Sequence, residues 1–281
     1  MANDLATRPQ TGLQKFNAML ENARTQEYLT NVLGEKKQTF VSNMVALVSS
    51  NKALSECDPS TIMFSCLKAT ALSLPLDPAL GMAWVIPFRD NKNNMTVATF
   101  QLGAKAYIQL ALRTAQYRKI NVRDVREGEI VGEDFVSGDM QFKKLATDRE
   151  KAPIVGYVAF FELVNGFSKQ LYMSVEELDA HAKRFSQTYR KGYGLWADKD
   201  MRQAMCEKTI LRRLLSKYGV LSVEMEQALT SDFGVLGENN SVRYIDNEEN
   251  AIDMDKAAAV SAKFADFGNV VDVKPTDEPQ K

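Results

Sequence analysis

Apolar positions recur at helical spacing through the first third of the chain, at strand spacing through the middle, and at helical spacing again toward residue 230. The pattern predicts helix from about Leu13 to Leu33, in one piece or two, and from about Lys36 to Val48. Asp58 as N-cap and Pro59 at the first helical position start another, which turns Ile62, Met63, Cys66 and Leu67 inward and ends before Pro75. Two strands follow, Met82 to Phe88 and Met95 to Gln101, around a polar turn, and then a helix from about Gly103 to Ala115. Further strands are predicted at Lys119–Arg126, Asp134–Ser137 and Met140–Lys144. A hairpin runs from Ile154–Val164 to Phe167–Met173, with Asn165-Gly166 suited to a type I′ turn. Ser174 and Glu177 form a capping box that opens a helix to about Arg190. After the loop Lys191–Trp196, Asp198 caps a helix ending at Tyr218-Gly219, and a shorter helix spans about Val223 to Thr230. Helices, then a strand meander, then helices predict an α+β fold, with helices flanking a small antiparallel sheet.

The chain has 281 residues, 45% of them hydrophobic, enough for a proper core. Residues 1–11 read as a flexible lead, 12–232 as the folded core and 233–281 as a largely disordered acidic tail. No apolar run is long enough to span a membrane, and Met1 to Gln10 lacks the apolar core of a signal peptide, so a cytoplasmic protein with no membrane partner is expected. Cys57, Cys66 and Cys206 with the lone His181 form no metal-binding spacing and read as reduced core thiols.

Net charge is −1, so any nucleic-acid surface has to be local. From Phe233 onward ten acidic residues outweigh five basic ones. Between His181 and Gly219 ten basic residues face only Asp198, Asp200 and Glu207, the footprint of a phosphate-binding surface. On the last long helix Lys199, Arg202, Arg213 and Lys217 fall on one stripe, with Lys208 and Arg212 at the edge of the apolar sector. Lys105, Gln109 and Arg113 make a second ribbon on the helix after Gly103. Arg184 and Lys191 extend the basic surface, and Tyr193 and Trp196 in the glycine-containing loop are candidates to stack on bases.

Catalytic signatures are missing. There is no phosphate-binding Gly-x-x-x-x-Gly-Lys loop, and His181 alone offers no nucleophile and base. Asp90-Asn91-Lys92 has the Asp-x-Lys form of some nucleases but lies in a polar turn. No catalytic or metal-binding residue is expected.

Three runs carry a family resemblance: Leu74–Gly81 (LPLDPALG), Phe100–Thr114 (FQLGAKAYIQLALRT) and Lys208–Gly219 (KTILRRLLSKYG). In their order and spacing the chain resembles the RecT family of phage single-strand DNA annealing proteins, over roughly Leu33 to Ser231. Ala104 and Ala106 replace bulkier residues or glycine usual in the family beside Lys105. The resemblance implies head-to-tail assembly into rings or helical filaments, with a basic groove running along them. It also implies annealing without ATP, at most modulated by magnesium, beside a 5′→3′ exonuclease and a host single-strand-binding protein that the tail would engage. The expected DNA contacts are Thr99, Gln101, Lys105, Gln109, Arg113, Arg184, Lys191, Trp196, Lys199, Arg202, Lys208, Arg212, Arg213 and Lys217. Two other classes remain open. A filament-forming scaffold would assemble without responding to DNA. A metal-dependent nuclease would degrade strands with magnesium and would need carboxylates converging on Asp77 or Asp90.

Overall fold

A computed structural model describes residues 11–145 and 148–245. Thr11 opens the first helix with a capping box: Gln14 N donates to its hydroxyl, and its own N–H donates to Gln14 Oε1 at 2.8 Å. That helix, α1 (Gly12–Glu21), stops at Asn22, whose Oδ1 accepts from Arg24 N and so starts α2 (Ala23–Leu33). The two-piece reading of this stretch holds. α3 (Lys37–Ser50), the single turn α4 (Lys52–Ser55) and α5 (Pro59–Ala71) follow, the last capped by Asp58 as the sequence predicts.

The hairpin of β1 (Ala83–Asp90) and β2 (Met95–Leu102) joins two apolar cores. Val85 and Ala98 face the N-terminal core of Phe16, Leu29, Phe40, Met44 and Ile62; Ala83, Phe100 and Leu102 face the larger one. That larger core is built on α6 (Ala104–Arg113) and α9 (Lys199–Tyr218), packed over the sheet of β3 (Tyr117–Arg126), β6 (Ile154–Leu163) and β7 (Ser168–Ser174). Phe16, Phe100 and Phe161 are completely buried, each burial being worth about 1.5–3 kcal/mol. All strand pairs are antiparallel, as an α+β fold requires.

Four details differ from the sequence reading. The strand expected at Asp134–Ser137 is a turn; β4 is Ile130–Glu133, paired with β5 (Met140–Phe142). Asp134 makes the turn, because its carboxylate accepts the N–H groups of Val136 and Ser137. The β6–β7 turn is not type I′. Only Gly166 has positive φ (+90°), and Gly166 N donates to Leu163 O, so a turn over 163–166 is followed by a glycine bulge. The helix after Ser174 breaks at Ser186 into α7 (Val175–Phe185) and α8 (Gln187–Arg190), Ser186 Oγ accepting from Tyr189 N. Finally, the fold continues past Phe233. After α10 (Val223–Ser231), β8 (Gly234–Leu236) pairs with β2 and β9 (Val242–Tyr244) pairs with β8. Arg243 closes this sheet by donating to the buried carboxylate of Asp90. Asp90 is therefore a turn and anchor residue, also accepting from Lys92 N and Asn93 N. The expectation for the tail beyond Ile245 lies outside the described residues.

Candidate nucleic-acid interface

Asp198 caps α9 by accepting from Asp200 N at 2.8 Å and Met201 N at 3.2 Å, which fixes where the basic side chains of this helix emerge. The expected unbroken stripe is divided. Cys206 and Ile210 sit on the same side, between Arg202 and Arg213, and both are buried. The sheet strands β6 and β7 pack against α9, while Lys199 at its start and Arg213 and Lys217 at its end are exposed. At 1.5 Å per residue, Lys199 and Lys217 stand about 27 Å apart along the axis.

Five cations expected to contact DNA, Lys105, Lys191, Lys199, Arg213 and Lys217, are exposed with no carbonyl among the described residues holding them; Arg113 and Arg184 are exposed as well. Among the described residues none of these five is in an ion pair. Lys217 lies 5.0 Å from the Tyr218 ring centre, and Arg213 reaches only the Met173 sulfur at 3.8 Å. Among the described residues no acidic group compensates their charge, and a phosphate in solution is the natural counter-charge. Arg184 is exposed beside the Phe185 ring, and Gln109 is half-buried on α6.

Three expected contacts are taken out of reach by burial. Thr99 is 4% exposed, and its hydroxyl donates to Ile86 O. Trp196 is 6% exposed and packs near His181 and Tyr189, so it serves the core rather than a base. Lys208 is 5% exposed, with its ammonium between the Asp232 carboxylate and the Phe233 ring. Burial pulls its pKa down to about 8, and Asp232 offsets part of that. Lys208 is a core residue.

Four more are occupied within the fold. Arg113 donates to Leu72 O at 2.6 Å and Ser73 O at 2.8 Å, satisfying carbonyls at the end of α5. Arg202 pairs with Asp179 at 3.1 Å and donates to Tyr189 Oη. Hydrogen bonds from Lys183, Tyr189 and Arg202 hold the Asp179 pKa down to about 2, so this network stays charged. Arg212 donates to Leu229 O and lies 3.9 Å from Asp232. Gln101 donates to Thr99 Oγ1 on β2.

The structure also supplies candidates beyond that set. On β3 Lys119, Asn121 and Arg123 are exposed while Ile120 and Val122 turn toward the core. Glu162 pairs with both Arg118 and Lys119, leaving an excess of positive charge. The alternation from Lys119 to Arg123 was the available signal. Tyr193 is 55% exposed in the loop before α9. The loop is held by Tyr193 N donating to Thr188 O at 3.0 Å. Gly194 has φ +89° and packs so close to Thr188 that an added Cβ would lie 2.6 Å from its hydroxyl.

Among the described residues no three His, Cys, Asp or Glu side chains are grouped to hold a metal ion. All three cysteines are buried and unpaired, burial raising the Cys57 and Cys66 thiols to about 12. No described helix is long and apolar enough to cross a membrane.

Comparison with known proteins points one way. The chain is 36% identical over 257 residues to "Uncharacterized protein YqaK" of Bacillus subtilis (strain 168), an alignment covering 88% of this chain and 84% of that protein. It is 26% identical over 184 residues to "Protein RecT" of Escherichia coli (strain K12), covering 64% of this chain and 65% of that one. The model of the RecT family matches residues 38–252, a stretch running from α3 past the last described strand. By that match, spanning the larger core, part of the N-terminal one and the exposed cations of α6 and α9, the chain belongs to the RecT family, a family of single-stranded DNA binding and annealing in recombination.

Proposed function

We propose that this chain binds single-stranded DNA through Lys105, Lys191, Lys199, Arg213 and Lys217 and anneals complementary strands without ATP in phage homologous recombination. The observation that carries the reading is five exposed cations with no ion-pair partner among the described residues, in a chain of this family. These cations neutralise phosphates, which removes the repulsion between approaching strands. Sequence is then read by base pairing and not by the protein. No fuel is required, because stacking releases about 1.4 kcal/mol per step and ten steps give on the order of 14 kcal/mol. Tyr193 supplies a ring on which a base stacks, a sequence-tolerant contact. Copies assemble into a ring or helical filament in the bacterial cytoplasm, beside a 5′→3′ exonuclease and the host single-strand-binding protein. Magnesium modulates annealing without entering a bond-breaking step.

The test mixes dye-labelled complementary oligonucleotides with the protein and no nucleoside triphosphate. Duplex formation well above the spontaneous rate, with both strands intact, supports the reading. A spontaneous rate with no strand bound, or shortened strands with magnesium, would refute it.

A further inference from the structure

The most exposed aromatic among the described residues sits on a rigid support. Phe135 is 99% exposed and its neighbour Val136 93%, at the tip of the β4–β5 hairpin. This tip is held in shape. Asp134 accepts the N–H groups of Val136 and Ser137 and pairs its backbone with Gly138 and Asp139. One flank is tied to β7, where Gln170 donates to Met140 O, Lys169 pairs with Asp139, and the Phe142 and Tyr172 rings meet at 6.4 Å. The root is locked by buried Glu129, which accepts from Arg149 at 2.6 Å and from Arg126 N at 2.7 Å. An apolar pair fixed in water at full exposure carries a standing solvation cost and no benefit to its own fold.

A surface cleft of about 420 Å³ opens on the N-terminal core, with Met19, Tyr28, Met63 and Phe64 as its apolar wall and Arg24 and Glu238 also lining it. Tyr28 and Phe64 meet edge to face at 6.2 Å, an arrangement that can accept a third ring. The tip is acidic, with Glu133, Asp134 and Asp139 and no basic residue from Gly132 to Gln141. Among the described residues Arg24 is the one cation lining the cleft, opposite in sign to the tip, and Glu238 is its one acid. Tip and cleft are different surfaces, so joining them between copies is a heterologous contact, which builds open filaments or closed rings.

We infer that the Phe135–Val136 tip of one copy seats in the cleft between Tyr28 and Phe64 of the next, making the β4–β5 hairpin a head-to-tail connector. The inference rests on the self-assembly reading above and names its contact.

The test uses the full chain. Phe135→Asp alters a side chain with no role in its own core, so circular dichroism and melting should stay unchanged. Light scattering should show the concentration needed for assembly rising at least about tenfold. Arg24→Glu should shift it in the same direction. A chain carrying Phe135→Cys, mixed with one carrying Tyr28→Cys and treated with a short bismaleimide, should give a covalent dimer that neither chain gives alone. The native cysteines are buried. Assembly of Phe135→Asp at the unaltered concentration, or no dimer above that of either chain alone, overturns the inference. Oligonucleotide binding is followed in the same samples. Loss of assembly in a protein that never bound DNA would sink the annealing reading and leave this contact standing.

Discussion

Lys208 and Asp232 are bridged at 2.9 Å with their side chains only 6% and 0% exposed, and this pair organises the middle of the larger core. Asp232 also accepts from Leu102 N at 2.9 Å and from the Tyr107 hydroxyl at 2.8 Å. One carboxylate thus ties the end of β2, α6, α9 and the chain after α10 together. Removing it with Asp232→Ala leaves a buried ammonium, a buried N–H and a buried phenol without their acceptor. Such a loss costs about 3–5 kcal/mol. Urea denaturation should show it as a lower midpoint. Lys208→Met should cost less, because the carboxylate left behind keeps its bonds from Leu102 N and Tyr107 and the nearby Arg212 guanidinium, while most of the volume is kept.

His181 gives the fold an acid-sensitive term. Burial, then the nearby charges of Arg213, Arg212 and Arg184, lowers its pKa from 6.5 to about 4. Between those values the unfolded chain binds a proton that the folded chain refuses. Stability therefore falls as pH drops from about 6.5 toward 4, by about 3 kcal/mol in total. The Asp179 network contributes a separate loss only as pH falls below the ordinary carboxylate value toward about 2. Melting temperature measured from pH 7 to 4 should decline, and His181→Phe should flatten that decline.

Tyr193 and Trp196 separate two roles that the sequence could not distinguish. Tyr193→Ala should weaken single-strand binding by about 1–3 kcal/mol per stacked base, and Tyr193→Trp should restore it. On an oligonucleotide of abasic sites the Tyr193→Ala effect should vanish. Trp196→Ala should instead lower the melting temperature, since the indole is buried near His181 and Tyr189.

The acidic tail can be tested only with a cut placed beyond the fold. Removal from Gly237 would delete β9 and the Arg243 contact to Asp90, and should destabilise the sheet. Removal of residues 247–281 spares both. The second truncation should bind single strands as well as the full chain or more tightly, because it removes negative charge. Fluorescence anisotropy compares the two.

Caps and periodicity made most elements legible. Asp58, Ser174 and Asp198 cap helices where the sequence places them, since each cap is a local bond between a side chain and N–H groups two or three residues on. The α9 stripe was harder. Helical angle alone puts Cys206 and Ile210 on the side of Arg202 and Arg213, and only tertiary packing of β6 and β7 buries that segment. Lys208 was misread for a related reason. Its partner lies 24 residues away, and nothing local marks Asp232 as buried. β8 was missed because three residues pairing with a strand far earlier in the chain leave no periodicity to read.

The central claim is that unpaired exposed cations neutralise the phosphates of one strand. The most direct measurement is the salt dependence of oligo(dT) binding for the full chain and for Lys105→Ala/Lys199→Ala/Lys217→Ala. Each lost phosphate contact reduces the log–log slope by roughly 0.7, so the triple variant should be shallower by about 2. An unchanged slope with unchanged affinity would contradict the account.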